Sequence, residues 1–251
     1  MKRNGKVIKS MKVIDGIRYN FQGFWLGVKT PKLLFLGLIR IAVVIVFTVI
    51  AVSFVLVYHQ ELLNFIWEKP ESRWVVWLWH LFSWFLSIFL VALSSVLSYL
   101  VSQIFFCVII MDIMSRITER MESGQEKEPD NIPLFRQLFY LIKQEIPRAI
   151  VPVVLSLMIM FLGWLTPLGP VITIISSLAA VTFLAWDNTD LVPARRLQPF
   201  KVRFKFLLKT LPFHLGFGLL FLIPVASIFF LSFAPIGATL YYVKEHNRPE
   251  Y

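Results

Sequence analysis

The sequence predicts an all-α integral membrane protein with long transmembrane helices and two Pro/Gly-broken, partly inserted helical hairpins. Three observations lead there. Ile41 to Gln60, Trp74 to Met111, Ala149 to Trp186 and Thr210 to Val243 contain no Lys, Arg, Asp or Glu; about 20 apolar residues in a helix span the hydrocarbon core, where a charge costs several kcal/mol. Hydrophobic residues make up 57% of the 251, against roughly 45–50% in a soluble domain. Proline and glycine are absent from the first two runs and recur in the last two.

The amino-terminal segment, 1–40, is basic, with Lys2, Arg3, Lys6, Lys9 and Lys12. A cleavable signal peptide would place its apolar region sooner than Ile41, so the first span is expected to be retained. Ile14, Ile17, Phe21, Phe24, Trp25 and Val28 recur in steps of three and four. They form an apolar stripe too short to cross a bilayer and suited to lying flat at the cytoplasmic interface. Gly16, Gly23 and Gly27 equally permit close contact between helices. A helix beginning near Pro31 would present free backbone amides beside Lys29 and Lys32, which suits an oxyanion; the same lysines could simply anchor to lipid phosphate.

Ile41 to Tyr58 is the first transmembrane helix. Nine Lys or Arg and one acidic residue precede it, whereas His59 to Arg73 holds two basic and three acidic residues. The positive-inside rule therefore puts the N-terminus in the cytoplasm and Trp67 to Arg73 outside. Trp74, Trp77, Trp79 and Trp84 suit the outer aromatic belt. The run 74–111 would measure about 57 Å as one helix at 1.5 Å per residue, and no Pro or Gly interrupts the chain before Gly124. One long helix is expected, carrying Asp112, Arg116, Glu119, Arg120 and Glu122 into the cytoplasm and stopping at Ser123-Gly124. Leu134 to Ile146 has the periodicity of a short amphipathic cytoplasmic helix.

From 147 to 186 a hairpin is expected. Gly163, Pro167, Gly169 and Pro170 fall in one short stretch, which favours a turn over a continuous helix. Both flanks are basic: Arg148 before it, and Arg195, Arg196, Lys201, Arg203, Lys205 and Lys209 after it. The run 210–243 would be about 51 Å long as a single helix. With Pro224, Pro235 and Gly237 interrupting it, a second hairpin turning near Pro224 is the better account, and both termini are then cytoplasmic. Broken backbone at membrane depth is tolerated only against other protein or an aqueous cavity, so the hairpin tips either pack among helices or line a pore made with other subunits. At the base of the first hairpin, Asp187 or Asp190 could neutralise Arg195 or Arg196, either to fix the base or to gate an anion path, and Arg148 could approach the same junction.

Other chemistries are poorly served. Net charge is +10, but the cations lie between apolar runs, where anionic lipid heads rather than nucleic acid are the expected partner. The single Cys107 excludes an intramolecular disulfide, and His80 and His214 lack second ligands at metal-binding spacing, so no metal is expected. Ser94, Ser98 and Ser102 make a small-residue face without catalytic helpers. No HExxH, GxSxG, GxxxxGK[ST] or dinucleotide loop occurs; no enzyme activity and no cofactor are expected.

Phe21-Gln22-Gly23 through Thr30-Pro31, Ile146-Pro147-Arg148-Ala149, Pro193-Ala194-Arg195-Arg196 with Pro199-Phe200, and Phe217-Gly218 through Ile223-Pro224 to Ala234-Pro235-Ile236-Gly237-Ala238-Thr239-Leu240 resemble the family that joins bacterial CysZ sulfate permeases with the eukaryotic etoposide-induced protein 2.4. The likeness covers roughly Gly16 to Tyr242. It implies a homo-oligomeric inner-membrane protein taking up sulfate for cysteine biosynthesis, with long membrane helices and partly inserted hairpins. Lys29, Lys32 and Arg40, with Gly23 and Pro31, would then form the anion entrance, and the tips around 163–170 and 224–235 would narrow the route. A non-transporting membrane scaffold or assembly protein is the contrasting expectation.

Overall fold

The computed structural model describes residues 12–66, 70, 72–125, 135, 139, 143, 146, 150, 154–159, 161–163, 165–167, 169–223 and 225–246. Among them there are helices and no strands. The elements are α1 (Val13–Lys29), α2 (Pro31–Ile66), α3 (Arg73–Ser102), a π-helical turn (Gln103–Cys107), α4 (Val108–Ser123), α5 (Gly169–Thr189), α6 (Leu191–Arg195), α7 (Phe200–Lys209), α8 (Leu211–Leu219), a 3-10 turn (Leu220–Leu222) and α9 (Ala226–His246). Four helical segments are long and apolar enough to cross a bilayer: Pro31–Ile66, Val75–Ser123, Gly169–Thr189 and Ala226–Glu245. A fifth arises if α7 and the segment Leu211–Leu222, bent by 76°, act as one. The chain is a multi-pass, all-helical membrane protein.

Two compact units divide it, 42–107 and the remainder. The first is a helical hairpin made from the later part of α2 and from α3. Its two arms meet through Ser87 Oγ with His59 Nε2 at 2.7 Å, Ser98 Oγ donating to Thr48 Oγ1 at 3.4 Å and the Phe47 and Phe106 rings at 5.0 Å. Val49, Phe54, Val57 and Phe65 point outward. A helix apolar all round is buried in a large protein core or spans a membrane.

The other unit has its core where α1 and α4 meet α9 and where α5 meets α8. Phe213 stacks on Tyr241 with centroids 3.8 Å apart, flanked by Ala185, Phe217, Ala234 and Ala238. A second cluster unites Leu33, Met114, Phe233, Ile236 and Leu240. The buried face of α1 consists of Gly16, Asn20, Gly23 and Gly27, while Ile14 is 71% and Trp25 53% exposed. Ile14, Phe21, Trp25 and Val28 of the apolar stripe are exposed, Phe24 packs at its edge on Phe230 and Phe233, and the glycine face is the packing face. A methyl group at Gly23 would overlap the backbone of Gly237, and one at Gly237 the carbonyl of Tyr19, so the two helices meet backbone to backbone.

Several helix ends follow from local chemistry. α4 stops at Ser123, and Gly124 takes φ 72° while its N–H bonds to Arg120 O at 3.0 Å, the left-handed close glycine favours. Residues 154–159 and 161–163 are helical, and α5 begins at Gly169. Between them Thr166 and Pro167 form a bend with Gly169 N–H bonded to Thr166 O at 3.2 Å. The arms are held by Ser176 Oγ donating to Ser156 O at 3.3 Å. Of the segment 134–146 only 135, 139, 143 and 146 are described; the expected amphipathic helix, Pro147, Arg148 and Pro224 lie outside the described residues.

Further on, the chain turns between Leu222 and Ala226, where Val225 has φ 65°. Pro235 and Gly237 do not sit at a turn. Both lie inside α9, which runs unbroken through them, because Arg40 supplies a hydrogen bond that the proline removes.

Candidate functional site

At the junction of α1 and α2, α1 closes at Lys29 and Thr30 is extended, its N–H bonded to Leu26 O at 3.1 Å. Thr30 O in turn accepts from Leu34 N–H at 2.9 Å. Pro31 opens α2 and has no N–H to leave unpaired, so the amides of Lys32 and Leu33 are the first-turn donors without an intrahelical acceptor. Leu33 is buried and seats this turn in the core. Pro31, Lys29 and Lys32 are exposed, with Lys29 Nζ 4.8 Å above the Trp25 ring. No carboxylate among the described residues pairs with either lysine. The result is a helix start with two ammonium groups, a geometry that favours an anion.

Arg40, three turns into α2, faces inward instead and is nearly fully buried. Its Nη1 donates to Leu231 O at 2.7 Å and reaches Ser232 O at 3.5 Å. Leu231 is four residues before Pro235, so its carbonyl is the one that the proline deprives of an amide partner. Arg40 fills that vacancy and ties α2 to α9. Gly23 likewise is engaged in packing against Gly237.

Two of the expected hairpin-base residues, Arg195 and Arg196, meet carboxylates of α4. Arg195, on the short α6, is fully buried and its partners come from α4. It donates to Asp112 Oδ1 at 3.0 Å, to Ser115 Oγ at 3.3 Å and to Glu119 Oε2. Arg196 donates to Glu119 Oε1 at 2.6 Å and lies 5.1 Å from the Tyr242 ring. Arg116 donates to Asp112 Oδ2 at 2.7 Å. Asp190 accepts from Arg203 of α7, and Asp187 is buried in the last turn of α5.

Asp112 and Glu119, expected on a solvated extension, are thus buried. They gain the arginine partners that make such burial tolerable. The fold brings together residues about eighty positions apart, which no local pairing rule anticipates. A trace existed: Asp112, Ser115 and Glu119 fall at i, i+3 and i+7, one polar line on α4. Thr239 of α9 donates to Ser115 Oγ at 2.8 Å, so α4, α6 and α9 converge here.

Where the backbone is irregular, polar side chains take it up. Asn20 Nδ2 donates to Phe217 O at 2.7 Å, next to the passage of α8 into its 3-10 turn. His214 bridges Thr189 Oγ1, 2.8 Å from its Nε2, and Thr210 O, 2.9 Å from its Nδ1, at the break between α7 and α8. These contacts supply what broken helices in hydrocarbon require. Pro167 lies at the bend of the first hairpin, with Pro170 in the first turn of α5. Gly163 and Gly169 face each other across it.

No curated protein matches the chain. The family model described as Sulfate transporter CysZ/Etoposide-induced protein 2.4 matches residues 19–232, from within α1 into α9, a range that takes in the α2 start, the buried charge cluster and the bend at Thr166 and Pro167. The chain belongs to that family of sulfate-transporter-type membrane proteins.

Proposed function

We propose that this protein is an oligomeric anion permease of the bacterial inner membrane that takes up sulfate for cysteine biosynthesis, with both termini in the cytoplasm. The observation that carries this reading is the exposed start of α2, where Lys29 and Lys32 flank free backbone amides and no carboxylate among the described residues neutralises them. A tetrahedral dianion asks for several charge-assisted donors. One chain offers two ammonium groups and two amides, and symmetric copies around an axis would multiply them.

Arg40 contributes by holding α2 against α9, and the Arg195 and Arg196 cluster by fixing the hairpin base from which the tips around 163–170 and 223–225 project. Membership in a family described as a sulfate transporter supports the choice of substrate. The absence of a nucleotide motif in the sequence makes the movement passive or coupled to an ion gradient.

Sulfate flux into vesicles containing the purified chain, compared with chloride and phosphate, tests the proposal. Flux above that of empty vesicles and selective for sulfate is expected. Changing Lys29 and Lys32 together to Gln should lower it about tenfold or more while membrane insertion is unchanged, each lysine near an anionic partner contributing about 1 kcal/mol. A chain that gives no flux but retains a membrane partner would be a scaffold, and transport would be abandoned.

A further inference from the structure

Beyond the anion entrance, the outer side of α5, α7 and α8 carries an apolar groove of about 350 Å³. Leu178 and Phe183 of α5, Phe204 and Leu208 of α7, and Leu211 and Leu215 of α8 line it. Leu208 is 58% and Leu211 46% exposed. A groove this apolar and this open needs an occupant that is itself apolar.

The adjoining charges identify the occupant. Lys201, Lys205 and Lys209 stand four residues apart on α7, a single row along the helix. Lys205 and Lys209 each directly follow a groove-lining residue, Phe204 and Leu208, so the row borders one edge of the groove. All three lysines are exposed, and no carboxylate among the described residues pairs with them. Arg203, on the other flank of α7, is buried and ion-paired to Asp190. The helix thus neutralises its inner cation and leaves its outer three open.

The 76° bend between α7 and the segment Leu211–Leu222 explains why the two features adjoin. A bend of that size lets one arm enter hydrocarbon while the other, with its row of lysines, lies along the interface at headgroup level. Of the described carboxylates, Asp112, Glu119 and Asp190 are buried in ion pairs and Glu122 pairs with Lys244 at 3.3 Å, so these four are already engaged.

We propose that this groove is a binding site for an anionic phospholipid, one acyl chain lying between α5, α7 and α8 and the phosphate resting on Lys201, Lys205 and Lys209. Basic pockets between membrane helices recognise anionic headgroups by this combination of charge and apolar wall. The site is separate from the α2 start and does not depend on what the protein transports.

Native mass spectrometry of the purified full chain in detergent, titrated with phosphatidylglycerol or phosphatidylcholine, tests it. Phosphatidylglycerol should bind about tenfold or more tightly than phosphatidylcholine, as expected for three lysines near a phosphate. Changing Lys201, Lys205 and Lys209 to Gln should erase that preference, and changing all three to Arg should keep it. Ala179→Trp, which fills the groove, should weaken both lipids, whereas the Lys29 and Lys32 to Gln variant should behave as the parent. Equal binding of the two lipids by the parent protein would overturn the proposal. So would a preference surviving the Gln variant, displacement of bound lipid by inorganic phosphate alone, or a dimer in which the groove is closed by a second chain.

Discussion

Arg40 illustrates how one residue can allow a proline to remain inside a helix. Pro235 removes an amide from α9, and the freed Leu231 carbonyl accepts from Arg40 at 2.7 Å. Arg40→Ala should lower the unfolding midpoint in detergent by the equivalent of about 1–3 kcal/mol, the penalty of leaving such a group unpaired. In a Pro235→Ala background the new amide can take the carbonyl, so the penalty should shrink; equal penalties in both backgrounds would refute this account. The buried cluster is less forgiving. Arg195→Ala takes from Asp112 and Glu119 the fully buried cation they share and should cost about 3–5 kcal/mol, seen as loss of the monodisperse folded species on size exclusion after mild heating.

Among the elements, α1 has two faces with different partners. Ile14, Phe21, Trp25 and Val28 of its apolar stripe are exposed, and the glycines pack. In lipid the hydrophobic stripe gains little from protein, while small residues allow backbones to approach and gain dispersion contacts. Gly23→Ala forces α1 off α9 and should destabilise by about 1–3 kcal/mol, measured as a lower thermal midpoint. Gly124→Ala is a contrasting case: nothing lies near its Cβ position, but φ is 72°, so it should cost only about 1–2 kcal/mol through backbone strain. The π-helical turn at Gln103–Cys107 separates α3 from α4 in a stretch without proline or glycine. Sequence punctuation could not locate it.

For the whole molecule, the charge asymmetry around the first span predicts opposite compartments for Glu68 and Lys244. With Cys107 replaced by Ser, a cysteine at 68 should react with an impermeant maleimide in intact cells, and one at 244 only after permeabilisation. Labelling of both from the same side would discard the proposed topology. The membrane class, the helical architecture and the family were all legible, because they rest on long uncharged runs and on the order of short Pro/Gly blocks. The arginine partners were not. Asp112 and Glu119 sit just past an apolar run, where a solvated helix end is the cheapest local expectation, and only the return of the chain through α5 and α6 places Arg195 and Arg196 against them.

The sequence alone determined that this protein resides in a bilayer as a set of helices, since the lack of charge over four runs is a property of composition and length. The tertiary structure decided which face of α1 is inside, which carbonyl Arg40 caps and which carboxylates hold Arg195. Those outcomes depend on contacts between distant segments, and in hydrocarbon they are selected by close fit and by satisfied polar groups rather than by hydrophobicity.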